Sequence, residues 1–265
     1  MVDLSKLDPA TMARHLGKPE GEIGRVLADS MAERNWPVYE AGFQRLAVQP
    51  GDRLFEVGFG NGKLVPRLLA LAPRLTYAGI DFSETMVSEA EAFNQELIKA
   101  GRATFRLASV EAIPFAADAF DRALAVNTIY FWPDPFHALA EIRRVLRPDG
   151  VLFVLAAPPE EMAKAPFTPY GFRVYDEVQL RKLHAEAGFL RVDVERYRDT
   201  APTLDRTGTT ERENYFVVSV ACCAGSRWST KWPFPSVATQ EREDLRGPLG
   251  RLLEERPADA VVEQH

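Results

Sequence analysis

Hydrophobic positions recur along this chain at two periods. Over the first fifty residues the spacing is helical, with Ile23, Val26, Leu27 and Met31 on one face and Tyr39, Phe43 and Leu46 on another. Proline fixes φ and lacks an N–H, so Pro37 predicts a break between two helices. From Arg53 onward, short apolar runs alternate with amphipathic stretches. Leu54 to Val57, Leu75 to Ile80, Ala103 to Leu107, Ala123 to Val126 and Val151 to Ala156 read as strands. Between them, Leu64, Val65, Leu68, Leu69 and Ala72 make one helical stripe. Met86, Ala90, Phe93 and Leu97, behind a Ser83 cap, make another facing inward. Asp134-Pro135 starts a third helix, which buries Leu139, Ile142, Val145 and Leu146. Asp176 and Gln179 fit a capping box, and Gly188 stops that helix. Val192 to Arg196 and Tyr215 to Val220 predict a closing hairpin.

This alternation predicts the α/β class: a doubly wound, mostly parallel sheet of about seven strands, the last antiparallel, with helices on both faces. Three regions follow: an N-terminal helical cap over 1–50, a ligand-binding domain over 51–221, and a mobile tail over 222–265. In the tail only Leu245, Leu249, Leu252 and Leu253 suggest a short helix, and Lys231 to Phe234 reads as an extension.

Apolar residues are 46% and charged residues 26%, the balance of a globular protein and not of a disordered one. A net charge of −6 argues against nucleic acid or an anionic membrane as main partner. Cys222 and Cys223 are adjacent, and the sequence has no CxxC or Cys/His cluster, so neither a disulfide scaffold nor a metal site is expected. The first residues lack the apolar stretch of a secretory signal. The longest apolar run, Val151 to Pro159, falls short of the ~20 residues that span a bilayer. The expected compartment is the cytoplasm.

In an open α/β sheet, ligands bind beyond the carboxyl ends of the strands where strand order reverses. The first strand runs into Glu56-Val57-Gly58-Phe59-Gly60-Asn61-Gly62, whose glycines allow a tight turn with N–H groups against a ligand. The second ends in Asp81, a carboxylate able to accept both ribose hydroxyls. The dinucleotide pattern GxGxxG requires glycine at 63, where Lys63 stands. Glu56 beside the loop suits a cationic ligand better than a pyrophosphate.

Together with Gly79-Ile80-Asp81, Glu111-Ala112-Ile113-Pro114-Phe115 and Val145-Leu146-Arg147-Pro148-Asp149-Gly150, this loop resembles the ordered motifs of class I S-adenosylmethionine-dependent methyltransferases, with their Rossmann-like fold. The match is to the small-molecule branch that includes ubiquinone/menaquinone-biosynthesis enzymes, over roughly residues 20–221. The resemblance implies S-adenosylmethionine as cofactor. Glu56, Gly58, Gly60 and Asn61 would hold its methionine part, Asp81 its ribose and Phe82 its adenine face, while Ser109, Val110 and Glu111 fall at the adenine edge. Position 109 usually carries aspartate; Ser109 also accepts, without charge. Asn127 to Pro133 would lie between cofactor and acceptor, so Asn127 joins the cofactor residues. Met31 to Tyr39 would fold over the cofactor, and Phe167 to Phe172 would form a further wall.

The expected reaction is methyl transfer to a small-molecule acceptor by in-line displacement, with Tyr130 and His137 as candidate catalytic residues, Trp132 as a second aromatic face and His15 as another possible base. His184 and His265 read as surface residues. Two alternatives remain open: a nicotinamide-dependent oxidoreductase, disfavoured by Lys63 and by the lack of a Tyr-x-x-x-Lys pair, and a catalytically silent cofactor-binding module.

Overall fold

The computed structural model describes residues 2–203 and 208–221. The readings on Cys222, Cys223, Lys231 to Phe234, Leu245 to Leu253 and His265, and the tail as a whole, lie outside the described residues.

Seven strands form one sheet: β1 (Arg53–Val57), β2 (Thr76–Asp81), β3 (Ala103–Leu107), β4 (Phe120–Val126), β5 (Leu146–Ala156), β6 (Phe189–Pro202) and β7 (Thr209–Ala221). Their order is β3-β2-β1-β4-β5-β7-β6. The first five are parallel, and β7 runs antiparallel to both β5 and β6. Strand order reverses between β1 and β4, the place where such sheets open a crevice. Every residue of β4 is buried, as a strand covered on both faces requires.

The helices are α1 (Pro9–Gly17), α2 (Gly21–Leu46), α3 (Val65–Ala70), α4 (Glu84–Phe93), α5 (Gln95–Lys99), α6 (Pro135–Val145), α7 (Pro159–Met162) and α8 (Glu177–Glu186). The expected caps form: Ser83 accepts from the Met86 N–H, Asp134 from Phe136 and His137, and Asp176 and Gln179 make the reciprocal box. On one face of the sheet, Leu139 and Ile142 of α6 pack among Phe55, Phe120 and Leu152.

Three local expectations are corrected. Pro37 does not break the chain, because α2 continues through it to Leu46. Packing outweighs the missing N–H: a methyl at Gly42 would come within 2.4 Å of the Phe153 ring, so the helix lies directly on β5. Next, Phe93 points outward and is 52% exposed, because the expected helix ends at Asn94. The buried Asn94 amide donates to the carbonyls of Gly62 (3.1 Å) and Ala90 (2.9 Å). Finally, His184 is fully buried, not on the surface; its Nδ1 lies 2.9 Å from Ser219 Oγ, and burial lowers its pKa to about 3.

Among the described residues, no group of three or more His, Cys, Asp or Glu is placed to hold a metal ion, and no helix is long and apolar enough to cross a membrane.

Candidate functional site

The turn after β1 owes its shape to glycine. Gly58 and Gly60 have φ of +75° and +61°, in the left-handed region that other residues avoid. A Cβ on Gly58 would meet Thr128 Cγ2 at 2.4 Å, whereas Gly60 borders open space. Across the turn stands Asp81 at the end of β2. Its Oδ2 accepts from the Gly60 N–H at 3.1 Å and its Oδ1 from the Ser83 N–H at 2.9 Å. Each carboxylate oxygen has a second lone pair, so capacity for ligand hydroxyls remains. Burial raises the Asp81 pKa to about 6, against the pull of those backbone donors.

Glu56 faces the other way. Its carboxylate accepts from the Tyr39 hydroxyl of α2 at 2.5 Å and the Tyr77 hydroxyl of β2 at 2.6 Å. Burial pushes its pKa up to about 7; the two tyrosines pull it down and Asp81 adds to the rise. Asn61 ties the turn to α2 through Asp29 Oδ1 at 2.7 Å, and Ser83 Oγ donates to the Pro19 carbonyl in the α1–α2 linker. The N-terminal helices are thus bonded to the ligand edge of the sheet.

Beyond β4, Asn127 takes φ +57° and its amide lies 3.4 Å from Asn35 Oδ1 of α2. The Tyr130 hydroxyl donates to Asn127 Oδ1 at 3.3 Å and accepts from the Ala157 N–H. Burial drives its pKa up, so it stays a phenol at ordinary pH. Tyr130, Phe131, Phe167 and Phe172 form one aromatic wall, with neighbouring centroids 4.6–6.0 Å apart.

These two halves enclose a single cavity of about 460 Å³. Gly58, Gly60, Asn61, Asp81, Phe82, Ser109, Val110, Asn127, Tyr130 and Trp132 all line it. So do His15, the other candidate base, Arg34, Asn35 and Tyr39 from the segment expected to fold over the cofactor, and Arg212 of β7, which carried no sequence signal. Two polar atoms of lining residues, Thr128 Oγ1 and Trp132 Nε1, are buried with no hydrogen-bond partner among the described residues.

Three expected site residues are not in the lining. Glu56 turns to its tyrosines. Glu111 accepts the Asp134 N–H at 2.8 Å, and His137 is exposed with Nε2 3.1 Å from the Glu111 carbonyl. The last two thereby fasten the loop after β3 to the start of α6. Their proximity in the fold places them beside the cavity, not in it.

S-adenosylmethionine fits this lining. A turn that a Cβ at 58 would fill, a carboxylate with spare acceptor capacity at 81, the half-exposed Phe82 and partnerless donors at 128 and 132 suit a ligand with a sugar, a flat base and a polar tail.

Residues 55–154 match the model of the family described as methyltransferase domain. The chain is 26% identical over 182 residues to the Bacillus subtilis (strain 168) protein named uncharacterized methyltransferase YdaC, covering 69% of this chain and 95% of that one. It is 36% identical over 138 residues to the ubiquinone/menaquinone biosynthesis C-methyltransferase UbiE of Paracoccus denitrificans (strain Pd 1222), covering 49% of this chain and 52% of the relative. Apart from the Bacillus protein, the chain spans about half the length of such relatives. Among solved structures, the fold resembles Haemonchus contortus phosphoethanolamine N-methyltransferase 2 in complex with S-adenosyl-L-methionine, with a TM-score of 0.59 and 16% identity over 71% of this chain and 53% of that one. Residues 55–154 thus carry the match to the methyltransferase domain, on a sheet whose strand order and crevice are similar to those of S-adenosylmethionine-dependent methyltransferases of the class I fold.

Proposed function

We propose that the chain methylates a small-molecule acceptor held in the β5–β7 half of the cavity, with the cofactor in the β1–β2 half. The observation that carries this reading is the continuity of one cavity from Gly58 and Asp81 to Phe172 and Arg212 across the end of β4. In this reading Gly58, Gly60 and Asn61 hold the methionine part of the cofactor, Asp81 the ribose, and Phe82, Ser109 and Val110 the adenine. Glu56 acts indirectly, by fixing Tyr39 and Tyr77 behind the turn. When bound, S-adenosylmethionine supplies an electrophilic methyl carbon on a positively charged sulfur. The protein's own work is to orient and to exclude water. Asn127 and Tyr130 set the floor between the two halves. The aromatic faces of Tyr130 and Trp132 favour positive charge by about 0.5–2 kcal/mol.

A base, where the acceptor needs one, comes from the lining. Tyr130 is held as a phenol with both sides of its hydroxyl engaged, so it positions and does not take a proton. His15 lines the cavity, and burial, then the Arg14 charge, lower its pKa and favour the neutral ring. Its Nδ1 accepts from the Glu20 N–H at 3.4 Å and its Nε2 lies 3.4 Å from Arg14 Nη2, so it would take a proton only by giving up one of these contacts. His137, exposed and bonded to Glu111, is left a structural role.

The test is calorimetric titration with S-adenosylmethionine, S-adenosylhomocysteine and NAD, followed by transfer of a labelled methyl group to a panel of aryl and alkyl acceptors. Binding of both sulfur compounds, none of NAD, and label on at least one acceptor is expected. Stabilisation by NAD alone would overturn the reading. Binding without turnover on any acceptor would mark a silent module.

A further inference from the structure

The acceptor half of the cavity carries four charged side chains: Arg34, Glu161, Arg212 and Glu213. Three have a partner of opposite sign. Glu161 holds Lys164 at 2.5 Å, and Glu213 holds Arg196 at 2.9 Å and Arg198 at 3.2 Å. Arg212 grips Asp199 with Nε (2.8 Å) and Nη2 (2.7 Å), and gives two more of its five N–H donors to the Arg34 carbonyl (2.8 Å) and Asn35 Oδ1 (3.3 Å). Arg34 is the exception. Its guanidinium donates to the Pro202 carbonyl, and no carboxylate among the described residues lies within ion-pair distance of it. Burial, then the neighbouring Arg212 charge, pushes its pKa down; Asp199, already committed to Arg212, pulls weakly the other way.

A half-buried guanidinium with donors to spare is costly until an anion meets it. Apart from Asn35 and Asn214, the rest of that half is lined mainly by apolar side chains, among them Met31, Phe131, Met162, Phe167 and Phe172. We propose that Arg34 is the specificity residue for the acceptor, and that the acceptor is an apolar molecule bearing one anionic group, a carboxylate or a phosphate, paired to that guanidinium. This rests on the methyltransferase reading above, which leaves the acceptor's chemistry open. Arg212 is the weaker competitor for the anion, because Asp199 already neutralises its charge and four of its five N–H donors are engaged. It positions α2, from which Arg34 projects.

The experiment uses the full chain saturated with S-adenosylhomocysteine. Binding of 3-phenylpropionate and dodecanoate is compared with binding of their neutral amides, and 2-phenylethyl phosphate with 2-phenylethanol. At least one anion should bind about ten-fold more tightly than its neutral counterpart, as charge-assisted hydrogen bonds imply. Whether carboxylate or phosphate shows the larger ratio identifies the group. In Arg34→Gln the preference should fall to about two-fold or less with S-adenosylhomocysteine affinity unchanged. Arg34→Lys should keep part of it, since the charge remains and the fork is lost. Equal binding of anion and neutral partner, no binding by any anion, or a preference that survives Arg34→Gln overturns the proposal. Failure of S-adenosylhomocysteine itself to bind strikes at the methyltransferase reading instead.

Discussion

At the scale of single residues, Asp81 combines two duties that substitution can separate. Its oxygens accept the Gly60 and Ser83 N–H groups, and it lines the cavity with acceptor capacity left over. Asp81→Asn keeps one carbonyl oxygen and the side-chain volume but loses the charge. S-adenosylhomocysteine affinity should fall by about 1.5–3 kcal/mol, the worth of hydrogen bonds to a charged group. Asp81→Ala should lose the same affinity and fold stability as well, because two N–H groups lose their acceptor. Calorimetry and urea unfolding separate the two effects, and an unchanged affinity in Asp81→Asn would remove Asp81 from the cofactor site. Tyr130→Phe should behave oppositely. Cofactor affinity should stay nearly intact, while unfolding free energy drops by about 1–3 kcal/mol, since the Ala157 N–H is left without its partner. Asp81 and the glycines were legible in the sequence because a tight turn and a strand-end carboxylate are local demands. The orientation of Glu56 was not, because its two partners stand 17 and 21 residues away on other elements.

At the scale of elements, the same divide separates what could be read from what could not. Strands β1 to β5 and the caps of α4, α6 and α8 declare themselves through period and capping chemistry. The break expected at Pro37 failed because one missing hydrogen bond is small beside the burial of Leu27, Val38, Phe43 and Leu46 along α2. The β6–β7 hairpin was foreseen but underestimated in length. Its outer half alternates charged and polar residues whose partners lie across the strands and on α2. The Asp199–Arg212 pair is the main such link, with side chains only 4% and 11% exposed. Asp199→Asn leaves a buried guanidinium without its counter-ion and should cost about 3 kcal/mol in urea unfolding. Glu96→Gln, which breaks the exposed Glu96–Lys99 pair, should cost less than about 1 kcal/mol. Equal losses in the two variants would show that the hairpin is not fastened to α2 through Arg212.

At the scale of the whole molecule, the buried acids behind the glycine turn make stability and ligand choice depend on pH. Glu56 rises from an ordinary 4.5 to about 7 and Asp81 from 3.8 to about 6, in both cases mainly because burial disfavours the charged form. Between the ordinary and raised values, the folded chain keeps protons that the unfolded chain has released. The free energy of unfolding therefore falls as pH rises across that window. The Glu56 contribution is complete below about pH 4.5 and is lost as pH climbs through about 7. Relative to Glu56→Gln, which cannot ionise, the wild-type chain should lose on the order of 1–2 kcal/mol between pH 5.5 and 7.5 in thermal or urea unfolding. The same titration favours a cation. Once both acids are ionised, two negative charges stand beside the turn, so S-adenosylmethionine should gain affinity over the uncharged sulfur of S-adenosylhomocysteine as pH rises from 5.5 to 8. Glu56→Gln should shrink that gain and leave the part due to Asp81. A ratio of the two affinities that is flat with pH in the wild-type chain would mean that the acids carry charge throughout, or that the sulfur sits beyond their reach.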